Sequence, residues 1–129
     1  MKHPRLDPAR FFGEVGGEPV ALFRLRHAGG MEVAVCNLGA KLLQIGVPDR
    51  DGVLGDVALG YDSLAALQAG APSMGAFIGR VAGRIAQARY TLDGTAYTLG
   101  ANAGPHSIHG GPNGSRHRVF SAHQDAPDA

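Results

Sequence analysis

Cysteine is nearly missing from this chain: Cys36 is the single one among 129 residues. No internal disulfide can form, and a reducing cytoplasmic setting is the natural expectation. Between Val35 and Leu38, Cys36 reads as a small core residue rather than a nucleophile. A charge surplus is also missing. Twelve Lys and Arg stand against eleven Asp and Glu, a net charge of +1. That balance offers no electrostatic footprint for nucleic acid, and a small neutral ligand suits it better than a polyanion. Nor is there a stretch approaching the roughly twenty apolar residues needed to span a bilayer. "MKHPRLDPARFF" has charges but no apolar run behind them, so it does not read as a secretory signal. Glutamate is scarce too: Glu14, Glu18 and Glu32 are the only ones, all early in the chain.

Glycine and proline, in contrast, are plentiful, at 20 and 8 residues. Helices tolerate both badly, so the composition favours short strands joined by turns. Residues 1–18 read as a loose segment with one short strand. "PVALFRLRHAGG" predicts a strand ending at Gly29-Gly30. "MEVAVCNLGAKLLQIGVP" carries the strongest β signal, with a break at Asn37-Leu38-Gly39 and a second strand from Leu42 to Val47, stopped by Pro48. "DRDG" (Asp49–Gly52) reads as a turn, since it lacks the further oxygen ligands of a calcium loop. "DVALGY" reads as another strand. "DSLAALQAG" predicts the one helix, near 63–69, capped by Asp62 or Ser63 and stopped by Gly70. "RYTLDGTAYTL" predicts a hairpin about Asp93-Gly94, with Tyr90 opposite Tyr97. The expected fold is mostly β, a sandwich or similar sheet pair with one small helix.

Two stretches carry candidate chemistry. "PHSIHGG" (Pro105–Gly111) places His106 and His109 three apart, with His117 and His123 further on. Such residues can bind a metal, carry a proton, contact a sugar, or simply fold. The spacing alone does not choose, and no carboxylate or cysteine lies near until Asp125. A metal protein using His106, His109 and His117 is one reading. His117 and His123 read as solvated surface residues. In "GAFIGRVAGRI", Gly75, Gly79 and Gly83 recur every fourth residue. This is no phosphate loop, because the Gly-Lys-Ser/Thr ending is missing. Either it is a connection where backbones pack closely with Arg80 and Arg84 exposed, or one arginine donates paired hydrogen bonds to a ligand.

From about Val33 to Phe120 the chain resembles the aldose 1-epimerases, also called galactose mutarotases. The resemblance rests on "IGRVAGRIAQARYTLDGTAYTLGANAGPHSIHGGPNGSRHRVF", which is similar to a Gly-Arg-x-x-Asn-Arg-Ile motif, a hairpin with a DG turn, then Asn-x-x-x-Asn-x-Leu-His-Gly-Gly, a Gly and an aromatic. "NLGAKLLQIGVPDRDGVLGDVALGYDSL" is similar to the family's early strands. The resemblance implies that residues 1–129 are the N-terminal portion of one large antiparallel β-sandwich, apparently truncated. It implies interconversion of the α and β anomers of free hexoses such as glucose and galactose, with no cofactor. It implies that Gly83 and Arg84 occupy the sugar-contacting Asn-Arg pair, and that His109 is the first active-site histidine, contacting the sugar and assisting catalysis.

The chemistry wants such residues. Ring opening delivers a proton to the ring oxygen while another group takes the C1 hydroxyl proton, work suited to a histidine and a carboxylate. This chain departs from the pattern at several places. Gly83 replaces Asn, His106 stands where Asn is usual, Ile108 replaces Leu, Ser115 sits at a common Phe position, and Phe120 takes the place of Trp. Family members are more than twice as long, and their second histidine and glutamate base lie beyond this segment. The expectation is therefore a catalytically incomplete chain, with apolar faces and strand edges left uncovered. The alternative is a carbohydrate-binding module without catalysis. Sequence leaves the oligomeric state open.

Overall fold

The computed structural model describes residues 4–70 and 73–126. The chain forms two compact units, one from residues 1–76 with 119–129 and one from Phe77 to Arg118.

The first unit centres on a four-stranded antiparallel meander of β3 (Leu22–Arg26), β4 (Glu32–Cys36), β5 (Lys41–Pro48) and β6 (Leu54–Asp56), preceded by a two-stranded hairpin of β1 (Gly13–Val15) and β2 (Glu18–Val20). That hairpin corrects the expectation of a loose opening segment with one strand. Gly16 and Gly17 have φ of +63° and +82°, so they form a two-residue turn with positive φ at both centres. Just before it, Pro8–Phe11 makes a 3₁₀ turn, started by the Asp7 carboxylate accepting from Ala9 N at 3.0 Å. The turn drives Phe11 into the core, where it is fully buried.

β4 and β5 fall where the sequence places strands, but their alternation is broken. Ala34 pairs with Gln44 and Val35 with Leu42, so Leu43 is an extra residue in the ladder. The bulge turns both Leu43 and Gln44 inward, which strict alternation forbids. Leu43 joins Phe11, Val20, Cys36, Leu38, Leu64 and Leu67 in one buried cluster. Gln44 ties the early segment to the sheet, donating to Pro4 O at 3.1 Å and accepting from Leu6 N at 3.2 Å.

The strand expected from "DVALGY" does not extend through it. β6 ends at Asp56 because its side chain takes over the ladder: Oδ1 accepts from both Ile45 N and Ala58 N, each at 3.0 Å. Asp49–Gly52 is a turn, closed by Gly52 N on Asp49 O. The helix, α1, runs Leu64–Ala69. Ser63 rather than Asp62 caps it, its hydroxyl accepting from Ala66 N at 3.3 Å. Leu64 and Leu67, on one face three residues apart, are its buried side chains. The first unit still shows water several large apolar groups, notably Phe12, Val57 and Leu59, each at least 70% exposed.

The second unit holds two small antiparallel pairs. β7 (Arg84–Ile85) pairs with β10 (Ser107–Ile108), and β8 (Arg89–Leu92) pairs with β9 (Thr95–Thr98). Asp93 and Gly94 turn the second pair at φ of +50° and +78°. Tyr90 faces Tyr97 as expected, their rings stacked with centroids 5.0 Å apart. Among the described residues, no helix is long and apolar enough to cross a membrane.

Candidate functional site

The site is built from the bottom of the second unit upward. β7 and β10 place Ile108 opposite Arg84 and Ser107 opposite Ile85. One residue beyond each strand the pairing continues: His109 N donates to Gly83 O at 3.0 Å. In return, Gly83 N donates to His109 Nδ1 at 3.2 Å. His109 and Gly83, two of the residues singled out in the sequence, are thus bonded directly. Arg84, the third, is next to Gly83 and in register with Ile108. It is exposed, and its guanidinium holds no partner among the described residues.

Behind the pair stands a polar frame. Asn102 brackets the Ile108 peptide, its Oδ1 accepting from Ile108 N at 2.7 Å and its Nδ2 donating to Ile108 O at 3.0 Å. Such a bidentate side-chain clasp leaves the strand little freedom beside His109. His106 is anchored like His109, its Nδ1 accepting from Gln87 N at 3.0 Å. Ser107, between them, is buried.

The loop after His109 depends on glycine. Gly110 and Gly111 have φ of +85° and +75°. A Cβ on Gly110 would lie 1.9 Å from Gly79 O, so the two backbones meet where only glycine fits. Ser115 closes the loop, its hydroxyl donating to Phe77 O and its N–H to Gly79 O at 3.2 Å. A hydroxyl at this position thus has work that the usual phenylalanine could not do. Of the recurrent glycines, Gly75 and Gly79 sit where backbone or Ser115 approaches closely, whereas a Cβ on Gly83 would meet nothing within 4 Å. Gly83 serves through its conformation, φ +79°, and through its peptide N–H.

Sequence reading missed the clasp by Asn102 and the Gly83 N–H. The first was visible as the leading Asn of the Asn-x-x-x-Asn-x-Leu-His-Gly-Gly pattern. The second had no signal, because a backbone group carries no letter. Other candidates lie apart from this frame. His117 contacts Arg116 through Nε2 at 2.8 Å. His123 stands 3.4 Å from Asp125, both widely exposed. Among the described residues, no group of three His, Cys, Asp or Glu could hold a metal ion. The second unit has five arginines and a single acid, Asp93 in the hairpin turn. Of the three glutamates, Glu32 is held by Arg5 and Arg26 in the first unit.

Comparison with known proteins agrees with this organisation. The family profile described as aldose 1-epimerase matches residues 21–129. The chain is 43% identical over 98 residues to the aldose 1-epimerase of Escherichia coli, covering 76% of this chain and 28% of that protein. It is 40% identical over 105 residues to the galactose mutarotase of Bos taurus, covering 80% of this chain and 30% of that one. Among solved structures, an aldose epimerase homologue from C. elegans superposes with a TM-score of 0.77 at 34% identity, over 84% of this chain and 33% of the other. The galactose 1-epimerase of Lactobacillus acidophilus gives 0.70 at 26%, over 84% of this chain and 31% of the other. The chain spans less than a third of the length of these curated relatives, in their N-terminal part. The antiparallel, mostly β architecture with one short helix is the early part of their sandwich. A profile match over most of the chain, two curated relatives near 40% identity and two superposable structures leave one assignment: this chain belongs to the aldose 1-epimerase family.

Proposed function

We propose that this chain contributes part of the sugar site of an aldose 1-epimerase, with free hexoses such as galactose and glucose as substrates. The observation that carries the proposal is the bonded pair of Gly83 and His109, with the Arg84 guanidinium beside it holding no partner among the described residues. A hexose offers many hydroxyls and no charge. An imidazole held by the backbone gives it a group whose orientation is already fixed, and a guanidinium with no partner among the described residues offers paired donors. In the reaction, the C1–ring oxygen bond breaks, the ring oxygen gains a proton, and the C1 hydroxyl gives one up as the carbonyl forms. Rotation about the neighbouring carbon bond and closure then yield the other anomer. His109 assists by holding the sugar. Arg84 binds it, and Gly83 contributes to binding through its two bonds to His109. Residues 1–129 act in this reading as part of a single sandwich domain.

A second reading has support of its own. No carboxylate stands beside His109 in its unit, since Asp93 lies in the hairpin turn. That favours sugar binding without turnover by this chain alone. Polarimetry on freshly dissolved α-D-galactose, combined with calorimetric titration, tests both. Binding without acceleration fits the chain as an incomplete site or binding module. Acceleration that disappears in His109→Asn fits catalysis assisted by His109. Acceleration unchanged in that variant refutes the role given to His109, and a folded chain that binds no hexose refutes the sugar site.

A further inference from the structure

We infer that Gly83 is a positioning residue for His109: its peptide N–H occupies Nδ1 and so fixes the imidazole as the Nε2–H tautomer. A neutral imidazole has one N–H and one lone pair, and the group facing one nitrogen decides where the proton sits. At His109 the facing group is a donor, Gly83 N, at 3.2 Å from Nδ1. A proton on Nδ1 would set two hydrogens against each other. The proton therefore belongs on Nε2, the nitrogen that Gly83 leaves open. The second bond, His109 N to Gly83 O at 3.0 Å, holds the two peptides in register, so the ring cannot escape by sliding along the strand. His106 obeys the same rule, with Gln87 N on its Nδ1 at 3.0 Å.

The consequence rests on the sugar-site reading. An Nε2–H meets a sugar as a donor and seeks an oxygen lone pair. The other tautomer would present a lone pair there and seek a hydroxyl hydrogen. Gly83 thus acts on ligand recognition through its backbone, although it has no side chain to offer. The position demands positive φ, +79°, but leaves room for a Cβ. Asparagine, which tolerates that region, should keep the clamp.

The test is imidazole ¹⁵N spectroscopy on the 129-residue chain labelled at histidine, with the urea-denatured chain as the averaged reference. The expected result is an unprotonated Nδ1 and a protonated Nε2 at His109, unchanged in Gly83→Asn. A semisynthetic chain with glycolic acid at position 83 replaces the N–H by an ester oxygen. There the Nδ1–H tautomer of His109 should rise several-fold while that of His106 stays put. A native His109 that carries its proton on Nδ1, or that averages like the denatured chain, overturns the inference. So does an ester chain with unaltered tautomers. Adding D-galactose to the same samples separates the two layers. A shift confined to the His109 Nε2–H supports the donor role. A pinned tautomer that ignores galactose upholds the clamp and counts against the sugar site.

Discussion

Gly83 and His109 are bonded twice, peptide to peptide through His109 N and Gly83 O, and peptide to ring through Gly83 N and His109 Nδ1. Backbone and side chain of the histidine are therefore held by one partner. His109 also has φ of +53°, a left-handed conformation that costs most side chains about 1–2 kcal/mol but suits asparagine. These facts separate folding from binding.

Asparagine at 109 places an amide oxygen where Nδ1 stands, tolerates the backbone, and fails to reach as far as Nε2. His109→Asn should keep stability within about 0.5 kcal/mol and weaken galactose binding by about tenfold or more, ~1.4 kcal/mol. His109→Ala should lose binding and also about 1 kcal/mol of stability. Urea midpoints and calorimetric titration measure both quantities. Equal stability losses in the two variants would show that the Nδ1 contact does not hold the loop.

Gly104 and Gly110 provide a matched comparison. Both have positive φ, +60° and +85°. A Cβ at 104 would meet nothing within 4 Å, whereas at 110 it would lie 1.9 Å from Gly79 O. Gly104→Ala should cost about 1 kcal/mol, the conformational part alone. Gly110→Ala should cost a further ~2–3 kcal/mol, because backbone must move to admit the methyl group. Denaturation followed by a probe in the Phe77–Arg118 unit reads the difference. Equal losses would mean that the close approach does not constrain the loop.

These positions also show what the sequence could reveal. The Asp93-Gly94 hairpin and the start of the helix at Ser63 were legible because local chemistry encodes them: positive φ in one, a capping hydroxyl in the other. Gly70 does end the helix, but at φ −73°, and glycine is needed there because a Cβ would lie 2.3 Å from the Tyr61 ring. His109, Arg84 and Gly83 are candidates through a motif, carried by the resemblance and not by their local chemistry. The bulge at Leu43 was not legible, because it arises from pairing with a strand whose register no local pattern states. The end of β6 at Asp56 was missed for a related reason. Its carboxylate replaces a backbone acceptor, which depends on Ile45 lying opposite. The clamp on His109 depends on a peptide N–H that every residue but proline possesses.

Asn37 offers a test in the first unit. It is buried, and its amide joins three segments: Oδ1 accepts from Ala21 N at 2.9 Å, while Nδ2 donates to Pro19 O at 3.0 Å and Phe120 O at 3.2 Å. Asn37→Ala strands one donor and two acceptors and should cost about 2–4 kcal/mol. Asn37→Asp keeps the acceptor but turns a carboxylate toward two carbonyls, and should be worse at neutral pH than at pH 4. Urea unfolding at both pH values checks this. An aspartate variant as stable as the parent at pH 7 would show that the segments are not joined through this amide.

Cys36 gives the remaining prediction its sign. Burial raises its thiol above the ordinary value of 9.0, while a hydrogen bond from the Leu38 backbone and the nearby Lys41 charge act the other way. A raised value in the folded state means that the unfolded chain loses this proton first. The stability linked to Cys36 is complete below the unfolded value and is lost as pH rises toward the folded one. The slope is at most about 1.4 kcal/mol per pH unit. Unfolding free energy should therefore fall more steeply above pH 9 in the parent than in Cys36→Ala. Other groups titrate there as well, so the difference between the two curves isolates the thiol. The same burial should make Cys36 react with a thiol reagent only as fast as the chain opens, and at once in urea. Parallel curves, combined with rapid native labelling, would place Cys36 at the surface instead of in the cluster with Phe11 and Leu43.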